Sequence, residues 1–350
     1  MGSPLADWHA THGATMIDID GTSLPARYSG IDAEIAAARS GATLLDLSHL
    51  PVITIESPDA KRWCNGMFTN NIRKMSPGDG SRSAMCDDRG RVQGLIDLYS
   101  TSDEAFLGVL DGVGLGWFQK RYGMYMVLDD IELEDCTEDL AVVSVQGAGA
   151  PALLTAVGLP VPESARSHLT GDLCGATLRV ARRDRTGLSG FDLFVPREVL
   201  SAVWLALSEA GATPLGQDAL DALRIISGQA RWPNDGTDKS MVHELRINEE
   251  VCAFDKGCYV GQEVINRIDV KGAIQKRLTG LRITGNAPIG ARVFLGERAV
   301  GTLTSSAVVN GHQIGLAVLR KAAWEVGTVV TLHPEDGAPL SATVEGFPLA

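Results

Sequence analysis

The chain of 350 residues has no apolar run approaching the roughly 20 residues that a bilayer-crossing helix needs, which excludes a helical membrane protein. Its first residues lack the basic, then apolar, then small-residue order of a secretory leader, and Ala6 stands where a myristoylation signal wants Ser or Thr. The expected compartment is the cytoplasm. Cations are scarce: 31 Lys and Arg against 43 Asp and Glu give a net charge of -12, a field that repels nucleic acid and anionic lipid. An anionic small ligand must therefore find a local arginine cluster. Cys64, Cys86, Cys136, Cys174, Cys252 and Cys258 include no Cys-x-x-Cys pair, which argues against a zinc ribbon or an iron-sulfur ligand set and for free, reduced thiols. His9 and His12 have no third ligand nearby, so no metal site is expected. Gly147-Ala148-Gly149 lacks the third glycine and the later acid of a dinucleotide-binding loop.

What is present fits an ordinary globular chain, with 45% apolar residues, 39 glycines and length enough for two or three domains. Residues 8 to 29 hold too many turn formers for a long helix, whereas Ile31 to Ala42 reads as an amphipathic one. Pro51 to Glu56 alternates as a strand and feeds a helix from Ser57-Pro58-Asp59 that carries Trp63 and Phe68. Ser81 to Cys86 and Arg91 to Ser100 read as strands joined by Asp87-Asp88-Arg89-Gly90, and a helix follows at Leu115 to Tyr122. Strands at Ile131 to Cys136 and Leu140 to Gln146 and a helix at Ala150 to Val157 repeat the strand-then-helix order, a weak sign of duplication. Helices are expected again at Glu198 to Ala210 and Asp218 to Ser227. Such alternation without regular parallel crossovers indicates an α+β fold. From about Lys276 short apolar runs alternate with turns, with one brief helical stretch at Leu319 to Glu325; strands at Leu278 to Ile283, Arg292 to Leu295, Ala299 to Ser305, Gln313 to Val318, Val329 to Leu332 and Ser341 to Glu345 make a compact antiparallel barrel. The division expected is residues 1–270 and 271–350.

Chemistry concentrates between Asp255 and Arg267. Cys258 lies three residues before Gly261, so a helix starting near Gln262 would favour its thiolate through free N–H groups and the dipole, with help from Lys256. The alternative is that Gly257 and Gly261 shape a tight turn, Cys258 is a small buried apolar residue, and Glu263 only complements the helix N-terminus. Both readings stand on chemistry alone.

Lys256-Gly257-Cys258-Tyr259-Val260-Gly261-Gln262-Glu263, followed by Arg267, resembles the signature of the YgfZ family of folate-binding proteins implicated in assembling or repairing iron-sulfur proteins. His12-Gly13, Leu24-Pro25, Tyr28 and the run from Leu44 to His49 resemble the aminomethyltransferases, the T-proteins of glycine cleavage. The resemblance implies two intertwined α+β subdomains of the aminomethyltransferase folate-binding type followed by a C-terminal antiparallel β-barrel. It implies tetrahydrofolate or a one-carbon derivative as cofactor and iron-sulfur client proteins as partners. On that pattern Gly94 and Leu95 occupy the places of two aspartates, so the catalytic carboxylate of the transferases is replaced by Leu95. Asp97, two residues on, faces the same side of a strand and would substitute only in a different register or ligand pose. Arg185-Thr186-Gly187-Leu188 keeps the middle of a Tyr-Thr-Gly-Glu stretch and loses both ends, with Asp192 where a later acid sits. Arg224, on the helix carrying a folate-contacting arginine in the superfamily, is the candidate cation, and Trp232 either stacks on a ring or fills core. The function implied is tetrahydrofolate binding in support of iron-sulfur enzymes, with Cys258 as a reactive or transiently liganding thiol. The alternatives are a folate-dependent aminomethyltransferase or demethylase, and a non-catalytic interaction module.

Overall fold

The computed structural model describes residues 3–272 and 274–349. Two sheets share one strand order. In the first, Val52–Glu56 leads into the helix Ala60–Met67 and then a meander of Gly80–Cys86, Val92–Ser100 and Ala105–Asp111, whose last strand returns beside Val52–Glu56. The helix Leu115–Leu128 then delivers Glu132–Asp135 to the other flank of Val52–Glu56. In the second, Leu140–Gln146, the helix Ala150–Ala156 and the meander His168–Leu173, Ala176–Arg182 and Gly190–Pro196 repeat this path. Here the free flank of Leu140–Gln146 is filled by Thr43–Asp46, with Thr213–Pro214 parallel beyond it. The chain thus lays one strand of the second sheet, leaves to build all of the first, and returns. That is the physical content of the expected intertwining.

The strand-then-helix turns follow from their residues. Ser57 Oγ accepts a hydrogen bond from the Asp59 amide at 3.0 Å, and Ala60, Trp63 and Cys64 face inward, so the segment buries one helical stripe. The helix stops at Phe68, whose backbone is extended. Trp63, Phe68, Phe118 and Tyr122 meet largely edge to face at centroid separations of 4.9 to 6.3 Å, a cluster in which losing one ring costs about 3–5 kcal/mol.

The N-terminal part is a short helix, Ala6–Thr11, a hairpin of Thr15–Ile19 and Thr22–Arg27, and the helix Ile31–Ser40. His9 is buried against Asp46 Oδ2 at 3.0 Å and the Tyr28 hydroxyl at 2.7 Å, which ties this part to the second sheet. His12 instead stacks on Trp8. Among the described residues no group of His, Cys, Asp and Glu has metal-binding geometry, and no helix is long and apolar enough to cross a membrane.

The C-terminal strands close into a six-stranded barrel in the order Lys276–Ile283, His312–Arg320, Arg298–Val309, Arg292–Leu295, Val329–His333 and Leu340–Glu345, which pairs back to the first. Leu281, Ile283, Val293, Leu303, Ala317 and Leu319 fill it at the period of two that strands impose. The helix expected at Leu319 to Glu325 is not formed: Leu319 belongs to the barrel core, so the strand runs to Arg320 and leaves only a 3-10 turn, Lys321–Ala323.

Candidate functional site

A cavity of about 300 Å³ opens where both sheets, the Gln217–Ser227 helix and the barrel's C-terminal tail converge. Arg82 and Leu95 reach it from the first sheet, Arg183 from the end of Ala176–Arg182 in the second, and Ser227, Gly228, Gln229 and Ala230 from the helix end. Arg246, Ile247 and Glu250 come from the following turns, and Phe347 from the tail. Gly228 ends the helix in the left-handed region at φ 77°, and a Cβ there would lie 2.6 Å from the Phe347 ring. Glycine is what lets the barrel's tail close this wall.

The polar floor is an ion network. Asp97 accepts from Arg82 at 2.6 Å, Arg166 at 2.7 Å and Arg183 at 3.3 Å. Arg82 reaches on to Asp111 at 2.5 Å, and Arg166 pairs with Glu250. Burial opposes the ionised form of Asp97, but Arg183, Arg82 and Arg166 outweigh it and hold the carboxyl well below its ordinary range. Arg246 differs. Its guanidinium lies 5.3 Å from the Phe347 ring centroid and, among the described residues, has no carboxylate within ion-pair distance. Its backbone sits at φ 60°, a conformation that costs a non-glycine residue energy. The cavity therefore offers apolar walls in Leu95, Ile247 and Phe347, an amide in Gln229, a carboxylate in Glu250 and one uncommitted cation.

The residues singled out from the sequence are mostly elsewhere. Leu95 does line the cavity, and Asp97 lies on its side of the strand, but all of Asp97's charge is spent on three arginines. Asp192 is held bidentately by Arg185, at 3.0 and 2.6 Å, and by Ser144 at 2.6 Å. The expectation of a ligand cation at Arg224 needs correction: it is buried and bonded to Asp221 at 2.7 Å, Asp235 at 2.8 Å and Ser305 at 2.8 Å, joining helix to barrel. Arg246, in contrast, lines the cavity. Trp232 is core, packed with Ala84, Val92, Leu95 and Leu245, and it fills the space over Gly112 and Gly236.

The Lys256 to Glu263 stretch has an architectural explanation. Lys256 Nζ donates to the carbonyls of Asn65, Phe68 and Asn70 at 2.6 to 2.7 Å, using all three ammonium protons on the end of the Ala60–Met67 helix. Burial lowers this lysine to about 8, against a small opposing pull from Cys252 and Cys64. Tyr259 packs under the ammonium, 4.7 Å from centroid to Nζ, and Gln262 donates to the Lys256 carbonyl at 3.3 Å. Gly261 caps the Gln262–Lys271 helix at φ 84°, where a Cβ would lie 2.6 Å from the Asp87 carbonyl oxygen and 2.7 Å from Gly90 Cα. Gly257 has no such constraint, as a Cβ there meets nothing within 4 Å. Glu263 and Arg267 face solvent on that helix. Cys258 is exposed, which corrects the buried reading, and it borders a surface depression with Arg62, Trp63, Asn65 and Arg73, outside the central cavity.

This arrangement of two intertwined sheets and a barrel around a central polar cavity is that of an aminomethyltransferase-type protein. The crystal structure of glycine cleavage system aminomethyltransferase T from Bartonella henselae superposes with a TM-score of 0.89 at 20% identity, covering 99% of this chain and 97% of that one. In sequence, residues 5–256 match the GCVT N-terminal domain family, and residues 275–347 match the CAF17 C-terminal beta-barrel domain. Among curated relatives, the aminomethyltransferase of Herpetosiphon aurantiacus is 28% identical over 99% of this chain and 97% of its own. Those of Rubrobacter xylanophilus and Thermus thermophilus are each 29% identical over 90% of this chain, and over 86% and 90% of their own. The chain belongs to the GCVT family, with a CAF17-type barrel at its C-terminal end.

Proposed function

We propose that this protein binds tetrahydrofolate in the central cavity and supports the assembly or repair of iron-sulfur enzymes, without transferring an aminomethyl group. The observation that carries the reading is Leu95 on the cavity wall, with Asp97 beside it locked among three arginines. A carboxylate able to take part in transfer is absent from that strand face among the described residues.

The cavity chemistry fits the group. A reduced pterin is flat, carries several N–H donors and ends in an anionic glutamate, so it needs apolar walls, a few directed acceptors and a cation. Leu95, Ile247 and Phe347 would wall the ring, Glu250 and Gln229 would meet its polar edge, and Arg246 would take the anionic part. Tetrahydrofolate, when bound, supplies a carrier for one-carbon units. Cys258, exposed and outside this cavity, would meet a partner protein and not the bound cofactor.

Titration calorimetry with tetrahydrofolate should show saturable binding, and Arg246→Gln should weaken it roughly tenfold to a hundredfold, the worth of a charge-assisted hydrogen bond. In cells, loss of the protein should lower iron-sulfur enzyme activities, restored by the wild-type chain. No binding at millimolar tetrahydrofolate would remove the cofactor, and unaltered iron-sulfur activities would remove the support role. A second reading, one-carbon transfer, draws on Glu250, paired with Arg166 and, among the described residues, the one carboxylate lining the cavity. Turnover of an aminomethyl or methyl donor that depends on tetrahydrofolate and is abolished by Glu250→Gln would establish it.

A further inference from the structure

A second cavity, of about 340 Å³, lies on the outside of the barrel beneath the 235–244 loop. Lys239, Lys276, Arg292 and Arg320 converge on it. Among the described residues none of the four has a carboxylate within the 4.0 Å of an ion pair. Two carboxylates, Asp235 and Glu244, share the lining, and the four cations outnumber them. Asp235 is taken by Arg224, Thr304 and Ser305, and one Glu244 oxygen accepts the Met241 amide at 3.2 Å.

Strand register makes the concentration of charge deliberate in physical terms. Lys276 and Arg320 are direct partners across adjacent antiparallel strands, and Arg292, two strands beyond Arg320, is paired with Thr302 on the strand between. Like charges directly opposite on one sheet face are destabilising, and a chain with 43 acids against 31 cations has ample means to place an acid there. The structure does not. Thr302 and Thr304 also line the cavity, Thr304 donating to Asp235 at 2.6 Å. All four cations are exposed, so water and salt screen their repulsion in part, and a multiply charged anion lying across them relieves what is left.

We infer that this barrel cavity is a binding site for a small, multiply charged oxyanion, such as a polyphosphate or oligocarboxylate group. The inference is independent of what occupies the central cavity. It is tested by titrating the full chain at low salt with sodium tripolyphosphate, with citrate and with chloride, following heat and thermal midpoint. Saturable binding of tripolyphosphate, citrate or both, weakening as salt is added, is expected, and the preferred anion identifies the group as phosphate or carboxylate. Lys276→Gln/Arg320→Gln should raise the midpoint in the absence of anion by relieving repulsion, lose at least tenfold in anion affinity and keep its response to tetrahydrofolate. If neither multivalent anion binds more tightly than chloride, or the double variant binds as tightly as the wild type, the site does not exist.

Discussion

The Lys256 to Glu263 stretch and the central cavity contrast in almost every respect. The first is eight consecutive residues dense in suggestive chemistry, and most of it goes into joining elements: Lys256 seals a helix end 186 to 191 residues away in sequence, and Gly261 lets one backbone cross another. The second has no contiguous sequence signature, only the broken motif at Leu95. It gathers Arg82, Leu95, Arg183, Gln229, Arg246, Glu250 and Phe347 from six separate stretches. Concentrated motifs mark places where the chain is geometrically constrained, and a ligand site is one cause of constraint among several.

The comparison can be broken most forcefully at the cavity floor. Asp97→Asn leaves Arg82, Arg166 and Arg183 buried together without their shared counter-charge, and removal of one partner from such a network costs about 3–5 kcal/mol, readable by denaturant unfolding. The acid side follows from the same group. The folded carboxyl is held below its ordinary value, so its contribution is complete above an unfolded value of about 3.9 and is lost as pH falls through the lower folded one. Wild-type stability should therefore decline steeply below about pH 4, and Asp97→Asn should flatten that limb; an unchanged slope would show that other acids govern it. The motif side predicts a smaller loss. Lys256→Met deprives three carbonyls of their donor and should cost roughly 2–3 kcal/mol, since each net hydrogen bond is worth about 1. Amide exchange should quicken first around residues 65–70. The smallest effect is expected at Cys258→Ser, within about 0.5 kcal/mol because the thiol is exposed, with tetrahydrofolate affinity unchanged because it lies outside the cavity. A folate defect in that variant would collapse the distinction between the two regions.

Local patterning made much of the architecture readable. The strand at Leu140–Gln146 and the barrel strand Arg292–Leu295 are where alternation places them, and the helix expected from Asp218 runs Gln217–Ser227. Where a segment satisfied two patterns, tertiary burial decided, as at Leu319. Site residues were legible only in part. Leu95 was found because a familiar motif is broken there. Arg224 was misassigned because an arginine on an apolar helix face reads the same whether it awaits a ligand or, as here, two aspartates and a serine. Arg246 gave no local signal; its place on the cavity wall against Phe347 exists only once the tail folds back.

The placement of Thr43–Asp46 inside the second sheet has a consequence for how the protein comes into being. Thr43 is joined to Gln146 across 103 positions, whereas every strand of the first sheet lies between residues 52 and 135. As the polypeptide leaves the ribosome, the inner unit has all its parts while the outer one still waits with a lone, unpaired edge. Closing so wide a loop is slow for an unstructured chain, but a finished inner unit shortens the span to be searched. Excision of residues 52–135 as an autonomous piece is then conceivable; its counterpart, interrupted by design, has no contiguous fragment to offer.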